Sequence, residues 1–500
     1  MPGPSVFCGE VSNVVIPNEV IENTNVLDDI YRGGEKLDLI EATKIAVARN
    51  LDIDIEKLNQ AIRHRDESIA KSIYDIQWET SGNWSLDKQQ PPSLVMGDRV
   101  VQGDVTTSLS KLLPTGTTIS VEGGTDRQST NSLFSTSSRY YQSHLTLSAE
   151  QQVLKNFFGY TDRKKIQQVR INTKKFDYET LDKMEATIED VRFKFWDLLF
   201  SLENLKAKQK NLERAQEFYG ITKKNYDIRL VEIQDLYAAE ANMKRRYVEA
   251  LNAKNIFYKA CYALRALLNT PEVKWIIPVS DLTTEEGPFN HDQALETALN
   301  DRWDVKQMEL ALESQEIEVK IKRIDGLPEV TFSGSWSGTS LDRDMANSQG
   351  EVFGYEHPQY TAGFQVTTPL ERRKERNELK QAKLELKKKK KQKALLDLEI
   401  ERQVDSAWQD LQLTSTSIVQ TAAVESLQKQ KLEEEEKQFK RGRSTSKTII
   451  DYQEDVIEAE NSRIVAALDY HKAIERFYRV QNKLLEYSGV AKALDEKVAE

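Results

Sequence analysis

The sequence predicts an α+β chain in which long antiparallel helices, paired as coiled coils, run into short alternating strands, with the whole pattern occurring twice. Three observations carry this. Leu181, Met184, Ile188, Val191, Phe195, Leu198, Leu202 and Leu205 recur at spacings of 3, 4, 3, 4, 3, 4 and 3, the heptad seam of helix-on-helix packing. Around Pro369 the period switches: Tyr360, Ala362, Phe364 and Val366 alternate with Thr361, Gly363, Gln365 and Thr367, as a half-buried strand requires, and a helical stretch follows. Finally, two local matches suggest a repeat. Ala46–Ile53 answers to Ala298–Val305 at an offset of 252 residues, and Tyr226 onward answers to Phe439 onward at an offset of 213. The offsets differ by about 39 residues, close to the excess length of the segment before Tyr141 over its counterpart, Leu341 to Gln359. One repeat with one insertion accounts for both.

Composition agrees. In 500 residues, 30% are charged and only 8% aromatic, with 12 prolines, which suits long exposed helices better than a set of compact domains. A net charge of −10 gives no reason to expect nucleic acid, because phosphate binding needs a basic surface. Cys8 and Cys261 are far apart and form no CxxC, so no disulfide framework is predicted.

Taken in order, a helix is expected from about Lys36 to Ser72. A strand follows, with Tyr74, Ile76, Trp78 and Trp84 on one face and Asp75, Gln77, Glu79, Asn83 and Ser85 on the other. Residues 87–139 are rich in Ser, Thr and Gly and hold Leu113-Pro114-Thr115-Gly116-Thr117, a turn between two short alternating runs; an extra hairpin and a mobile loop both fit. A second strand places Tyr141, Leu145, Leu147 and Ala149 opposite Gln142, His144, Thr146, Ser148 and Glu150. Long helices over about 162–228 and 232–268 come next, then an irregular segment to about Asn290. In the second half, Leu327-Pro328 precedes a strand with Val330, Phe332, Gly334 and Trp336 on one face. The final helix, about Ser446 to Tyr487, has a seam at Val456, Ala459, Arg463, Ala466, Tyr470, Ala473, Phe477, Val480 and Leu484.

No stretch approaches the eighteen consecutive apolar residues of a spanning helix, but barrel strands escape such a search, since lumen-facing polar residues dilute the average. The aromatic strands fit either a soluble sandwich or the wall of an outer-membrane barrel. Met1-Pro2-Gly3-Pro4-Ser5-Val6-Phe7-Cys8 lacks the basic and apolar regions of a secretory signal, so a cytosolic chain and a processed or truncated form both fit.

Over about residues 36–488 the chain resembles the TolC family of outer-membrane efflux proteins. Leu327-Pro328 and Thr368-Pro369-Leu370 look like the family's proline-marked junctions between barrel and tunnel. Tyr226-Asp227-Ile228-Arg229-Leu230-Val231 with Asp235-Leu236, and Phe439-Lys440-Arg441-Gly442 with Ile449-Ile450-Asp451, look like its two helix-hairpin tips. The resemblance implies an α+β membrane protein whose long antiparallel coiled-coil helices continue a trimeric 12-stranded β-barrel, four strands per chain, internally duplicated. It implies an extension over 1–35, repeats over 36–270 and 291–488 separated by a linker at 271–290, strands at 329–338 and 360–368, tips near 226–235 and 439–451, and a tail over 489–500.

The function so implied is the outer-membrane channel-tunnel of a tripartite efflux or type I secretion system. Its partners would be two further copies of the chain, outer-membrane lipid, a periplasmic adaptor and an inner-membrane transporter. Tyr226, Arg229, Leu230, Val231, Phe439, Gly442, Arg443 and Ser444 are the expected adaptor contacts; Asp235 and Asp451 are candidate gate residues, since a threefold ring of carboxylates favours cations. Each aspartate has a plainer reading, as a cap or a solvated helix start. Pro328 and Pro369 mark the barrel–tunnel junctions. Two departures stand out: Gln152-Val153-Leu154 where the family often has proline, and Arg229 where it has glycine.

Physical chemistry points the same way, because four strands cannot close a barrel and their edges must be satisfied by other copies. Asp75, Gln77, Glu79, His144, Glu150, Thr331, Ser335 and Gln365 would line a wet, mildly acidic lumen. Lys387–Lys391 with Lys393, and Glu433–Glu436, read as solvated helix faces. His64, His144, His291, His357 and His471 lack ligand spacing, and no phosphate loop, GxSxG or HExxH occurs, so no metal, cofactor or catalysis is expected. Cys8 sits in a poor lipobox and reads as an incidental thiol. The rival reading is a soluble coiled-coil scaffold.

Overall fold

The structure is a computed structural model and describes residues 26–88, 99–131, 137–280, 289–352, 358–441 and 443–489. In chain order these form α1 (Val26–Gly33), β1 (Gly34–Leu37), α2 (Leu39–Arg49), α3 (Leu51–Lys71), β2 (Gln77–Asp87), β3 (Val100–Leu112), β4 (Thr117–Thr130) and β5 (Arg139–Gln152). The helices α4 (Tyr160–Asp227) and α5 (Ile233–Leu268) follow, then β6 (Trp275–Pro278), α6 (His291–Asp301), α7 (Trp303–Asp325), β7 (Glu329–Asp342) and α8 (Met345–Glu351). The chain continues through β8 (Pro358–Thr367), α9 (Arg373–Lys440), α10 (Ser446–Val480) and α11 (Leu484–Tyr487). Among the described residues no helix is long and apolar enough to cross a membrane. Two compact units divide the chain. One comprises Glu56–Lys183 and Leu299–Ile400; the rest of the described residues form the other.

The first unit is organised by a single antiparallel sheet in the order β2-β3-β4-β5-β7-β8. Among the described residues six strands, not four, join this sheet. The predicted loop over 87–139 holds β3 and β4, which turn tightly at Pro114–Gly116. The Ser, Thr and Gly content that left a hairpin and a loop both open is spread over the two faces: Ser108, Ser110, Ser120 and Gly124 fall on the polar one, and Gly103, Thr107, Gly123 and Thr125 interrupt the apolar one. β7 also runs past 338 to Asp342, because its far end pairs with β5 as far as Tyr141↔Asp342. β2 starts at Gln77, so Tyr74, Asp75 and Ile76 precede it. Helical parts of this unit meet at Ile171, Ile317 and Ile321, and Tyr178 stacks on Trp303 with ring centres 5.6 Å apart.

The second unit is a helix assembly around the predicted seam. Met184, Ile188, Val191, Phe195, Leu198, Leu202 and Leu205 are all buried, whereas Leu181 is half-buried. Ala253, Phe257, Cys261, Leu264 and Leu268 of α5 face the upper part of this seam, with Ile30, Leu37, Ala42, Ala46, Ile276 and Ile277 closing the core. The linker expected to be irregular contains β6, which pairs in parallel with β1 from Gly34↔Trp275 to Leu37↔Pro278. Gly34 permits this pairing: a Cβ there would lie 2.6 Å from Ile277 and from the Ile30 carbonyl.

The helix expected over 36–72 is broken at Asn50, whose Oδ1 accepts from the amides of Asp52 and Ile53 at 2.8 and 3.1 Å, capping α3. A corresponding break separates α6 from α7 at Arg302. The last helix also stops earlier than expected, at Val480, where Asn482 takes a left-handed conformation (φ 62°) before α11.

Candidate functional site

The sheet sorts its side chains by chemistry. Directly paired residues share a face, and one row runs across all six strands as Trp78, Leu109, Val121, Leu147, Trp336 and Tyr360. The next row, on the opposite face, reads Glu79, Ser108, Glu122, Thr146, Ser337 and Gln359. Gln77, His144, Glu150, Thr331, Ser335 and Gln365 fall on that polar face by the same registers; Asp75 lies outside the strand. Apolar side chains on the other face are open to the surroundings: Trp78 is 73% exposed, Tyr360 78% and Phe364 74%. Such a surface is unstable in water but suited to lipid. Where the apolar face turns polar, at Thr125, Ser143 and Ser340, α8 covers it. Ser348 Oγ bonds Ser143 Oγ at 2.9 Å, and Gln349 Nε2 donates to Thr125 Oγ1 at 3.1 Å.

Pro328 stands between α7 and β7, and Pro369 between β8 and α9. Each lacks an amide donor and fixes φ, which suits a passage where neither ladder nor helix bonds are available. Arg372 joins the two passages. From a left-handed backbone (φ 49°) its guanidinium donates to the Gly326 carbonyl at 3.3 Å and to Thr368 Oγ1 at 3.1 and 3.3 Å. Nothing in the heptad or strand pattern singles out this residue.

The first-half passage has no proline and bends by other means. Val153 donates to the Val330 carbonyl at 2.9 Å, after which Phe158 (φ 45°) and Gly159 (φ 68°) turn the chain left-handed. Asn156 Oδ1 accepts from the amides of Thr161 and Asp162 at 3.0 and 3.3 Å, satisfying donors that the start of α4 leaves free. The β3–β4 turn docks here: Arg163 donates to the Pro114 carbonyl at 2.9 Å. The polar Asn156 ahead of Thr161-Asp162 is the signal that sequence reasoning passed over.

At the first tip, Leu230 N–H donates to the Asn225 carbonyl and Arg229 N–H to the Tyr226 carbonyl, both at 2.8 Å. These two bonds form a Schellman cap, in which the penultimate residue must be left-handed; Arg229 is so, at φ 60°. The glycine expected there from the family is therefore a backbone requirement that this chain meets with arginine at a cost of roughly 1 kcal/mol. At the second tip Arg443 N–H donates to the Gln438 carbonyl at 3.0 Å, the same bond displaced by 213 residues. Gly442 lies outside the described residues, as do Cys8 and His357. Leu230 is 71% exposed, and Val231 is half-buried beside it. Phe439 packs against Phe218 with ring centres 5.8 Å apart, in a cluster with Ala239 and Ile449, so the structure brings the two tips together. Ser444 Oγ donates to Glu435 at 2.6 Å. Asp235 lies in the first turn of α5, its amide bonded to the Glu232 carbonyl; Asp451 is exposed on α10, in the second turn after the Thr445 cap.

The charge runs are mostly solvated, with one exception. Lys387, Lys388, Lys390 and Lys391 are exposed or nearly so, but Lys389 turns inward and donates to the Ala311 carbonyl at 3.2 Å. Burial, reinforced by Lys175, holds its ammonium below the ordinary lysine range. Sequence reasoning also missed a buried ion pair: Arg192 grips Glu475 through two bonds of 2.7 and 2.6 Å, with both side chains at most 3% exposed. Trp196 Nε1 donates to the same carboxylate at 3.2 Å and stacks on His471 at 4.1 Å.

Comparison with known proteins is consistent with this architecture. Residues 294–489 match the family model described as outer membrane efflux protein. No curated protein sequence matches the chain. Among solved structures, the Campylobacter jejuni CmeC outer membrane channel superposes with a TM-score of 0.68 at 14% identity, covering 92% of this chain and 89% of that one. The open-state Neisseria gonorrhoeae MtrE outer membrane channel gives 0.65 at 16% identity, covering 89% of each. The outer membrane protein VceC from Vibrio cholerae gives 0.64 at 12% identity, covering 88% of this chain and 95% of that one. The outer membrane efflux protein model thus matches the second half of the chain, and most of the chain shares the fold of the solved outer membrane channels.

Proposed function

We propose that the protein is the passive exit duct of an envelope-spanning export machine: three copies close one barrel, and an inner-membrane transporter drives substrate into the duct through a periplasmic adaptor. The observation that carries this reading is that adjacent rows across all six strands are apolar on one face, from Trp78 to Tyr360, and polar on the other, from Glu79 to Gln359. A sheet so divided, with two open edges, suits a wall between lipid and water only if other copies complete it. Apolar side chains on the helices point the same way: Leu58, Ile62 and Ile69 on α3, and Leu384, Leu395 and Leu398 on α9, are each more than 60% exposed. Contiguous exposed apolar stripes call for a partner surface.

Within this reading residues 36–270 and 291–488 are a duplicated unit, and Pro328 and Pro369 mark where wall becomes tunnel. The capped tips, with Tyr226, Arg229, Leu230 and Val231 in one and Phe439, Gly442, Arg443 and Ser444 in the other, meet the adaptor. Asp451 and Asp235 narrow the periplasmic mouth, where threefold repetition concentrates negative charge and draws cations. Conduction needs no chemistry from the chain, so the protein acts as a channel and not as an enzyme.

The test is extraction and conductance. Full-length protein released only by detergent, migrating as a heat-modifiable trimer and opening single channels in a planar bilayer, is the expected result. A soluble monomer or dimer obtained without detergent would overturn the duct. Asp451→Ala is expected to relieve block by multivalent cations; unchanged block removes Asp451 from the gate.

A further inference from the structure

We propose that the barrel closed by this chain has eighteen strands, because the hairpin β3–β4 is part of the wall of every subunit. The inference rests on the trimeric duct proposed above and concerns its calibre.

Four observations place the hairpin in the wall. It lies between β2 and β5, so that β2 reaches the rest of the sheet only through β3 and β4. Its pairing is complete, from Gln77↔Ser110 to Asp87↔Val100 on one side and from Thr117↔Gln151 to Ser129↔Arg139 on the other. It also obeys the face rule of its neighbours. Val105, Leu109 and Val121 continue the apolar side, while Ser108, Ser120 and Glu122 continue the polar side. A loop folded into a lumen, or lying over the barrel's mouth, has no reason to keep both faces in register with the wall. Finally, its inner turn is fixed at the passage into α4: a Cβ on Gly159 would lie 2.2 Å from the Pro114 carbonyl, and Arg163 holds that carbonyl at 2.9 Å.

An inserted hairpin also preserves closure. β2 leads away from the passage and β8 leads back to it, because the six strands alternate in direction across the sheet. The edge of β2 therefore meets the edge of β8 in the next copy antiparallel; an odd insertion would have made that junction parallel. Both edge strands are exposed along their whole length, as expected for strands awaiting a second copy of the chain. Since barrel diameter grows roughly linearly with strand number, eighteen strands give a bore about half as wide again as twelve, in the range where a wet channel remains open.

The experiment uses full-length protein in lipid nanodiscs, with Cys8→Ser and one reporter cysteine at a time, Leu109→Cys or Ser108→Cys, labelled with a small fluorophore. Native mass spectrometry of the same samples gives the stoichiometry. The expected result is a trimer in which nitroxide-bearing lipid quenches the label at 109 and leaves the label at 108 to aqueous iodide. A trimer in which iodide quenches both labels, with no loss from the nitroxide lipid, overturns the eighteen-stranded wall while leaving the duct intact. Absence of a trimer overturns the duct reading itself, and this inference with it.

Discussion

Gly116 and Gly159 meet backbone to backbone: a Cβ on Gly116 would lie 2.7 Å from the amide nitrogen of Gly159, and both residues have positive φ, 73° and 68°. The turn of the inserted hairpin and the start of the long helix α4 are thus fitted to each other at two positions that exclude side chains. Gly159→Ala is expected to cost about 1–3 kcal/mol through strain and overlap, read as a lower melting temperature of the detergent-solubilised protein. Gly220→Ala is the control: nothing lies within 4 Å of its Cβ, and alanine in a helix interior should stabilise by about 1 kcal/mol.

Arg229 offers the opposite change. Arg229→Gly keeps both Schellman bonds and removes the left-handed penalty, so the first tip should gain about 1 kcal/mol. Slower hydrogen exchange at the Leu230 amide is the local readout; Arg229→Val should speed it, because a branched Cβ tolerates positive φ least.

Breaking the Arg192–Glu475 pair from one side should be costly. Glu475→Leu strands a guanidinium at a site only 3% exposed, a loss of about 3–5 kcal/mol. Arg192→Met combined with Glu475→Leu should lose clearly less than the two single changes added together. A double-mutant cycle on melting temperatures checks this, and strict additivity would show that the pair is not coupled.

Stability should respond to pH through His291. Its ring bonds Asp292 at 3.0 Å and Asp405 at 2.7 Å, and those two carboxylates, in that order, raise its pKa above the ordinary 6.5 against a smaller opposing effect of burial. A raised folded value means that the protonated ring is the stabilising form. Its contribution is complete below the free histidine value and fades as pH rises through the folded one. His291→Gln should therefore lower the melting temperature more near about pH 6 than near about pH 9; an equal loss at both would mean that the imidazolium contributes nothing.

Much of this was legible in the residues. The heptad of Met184–Leu205 is the buried seam, and the alternation around Trp78, Leu147, Trp336 and Phe364 is the sheet, because both signals are periodic and local. The features that escaped are neither. β3 and β4 were ambiguous because Gly103, Thr107, Gly123 and Thr125 interrupt their apolar rows, which lowers the contrast that marks a strand. β1 and β6 are four residues each and pair across more than two hundred positions. Arg192 and Glu475 are 283 residues apart, and nothing in either local sequence announces the other. Arg229 was visible as a departure from glycine; only the cap geometry gives the reason, since the demand falls on φ and not on the side chain.

The unbroken rows of the sheet separate two evolutionary pressures. Because no bulge shifts the register between β2 and β8, a substitution at Glu79, Ser108, Glu122 or Thr146 alters one surface and leaves the opposite one as it was. In the proposed duct the solute-facing lining is then free to drift in charge and size under selection by whatever passes through. Trp78, Leu109, Val121 and Leu147 in that duct face the bilayer alone. An engineer can exploit the same independence by re-tuning conductance or ion preference on one row without rebuilding the anchorage on the next.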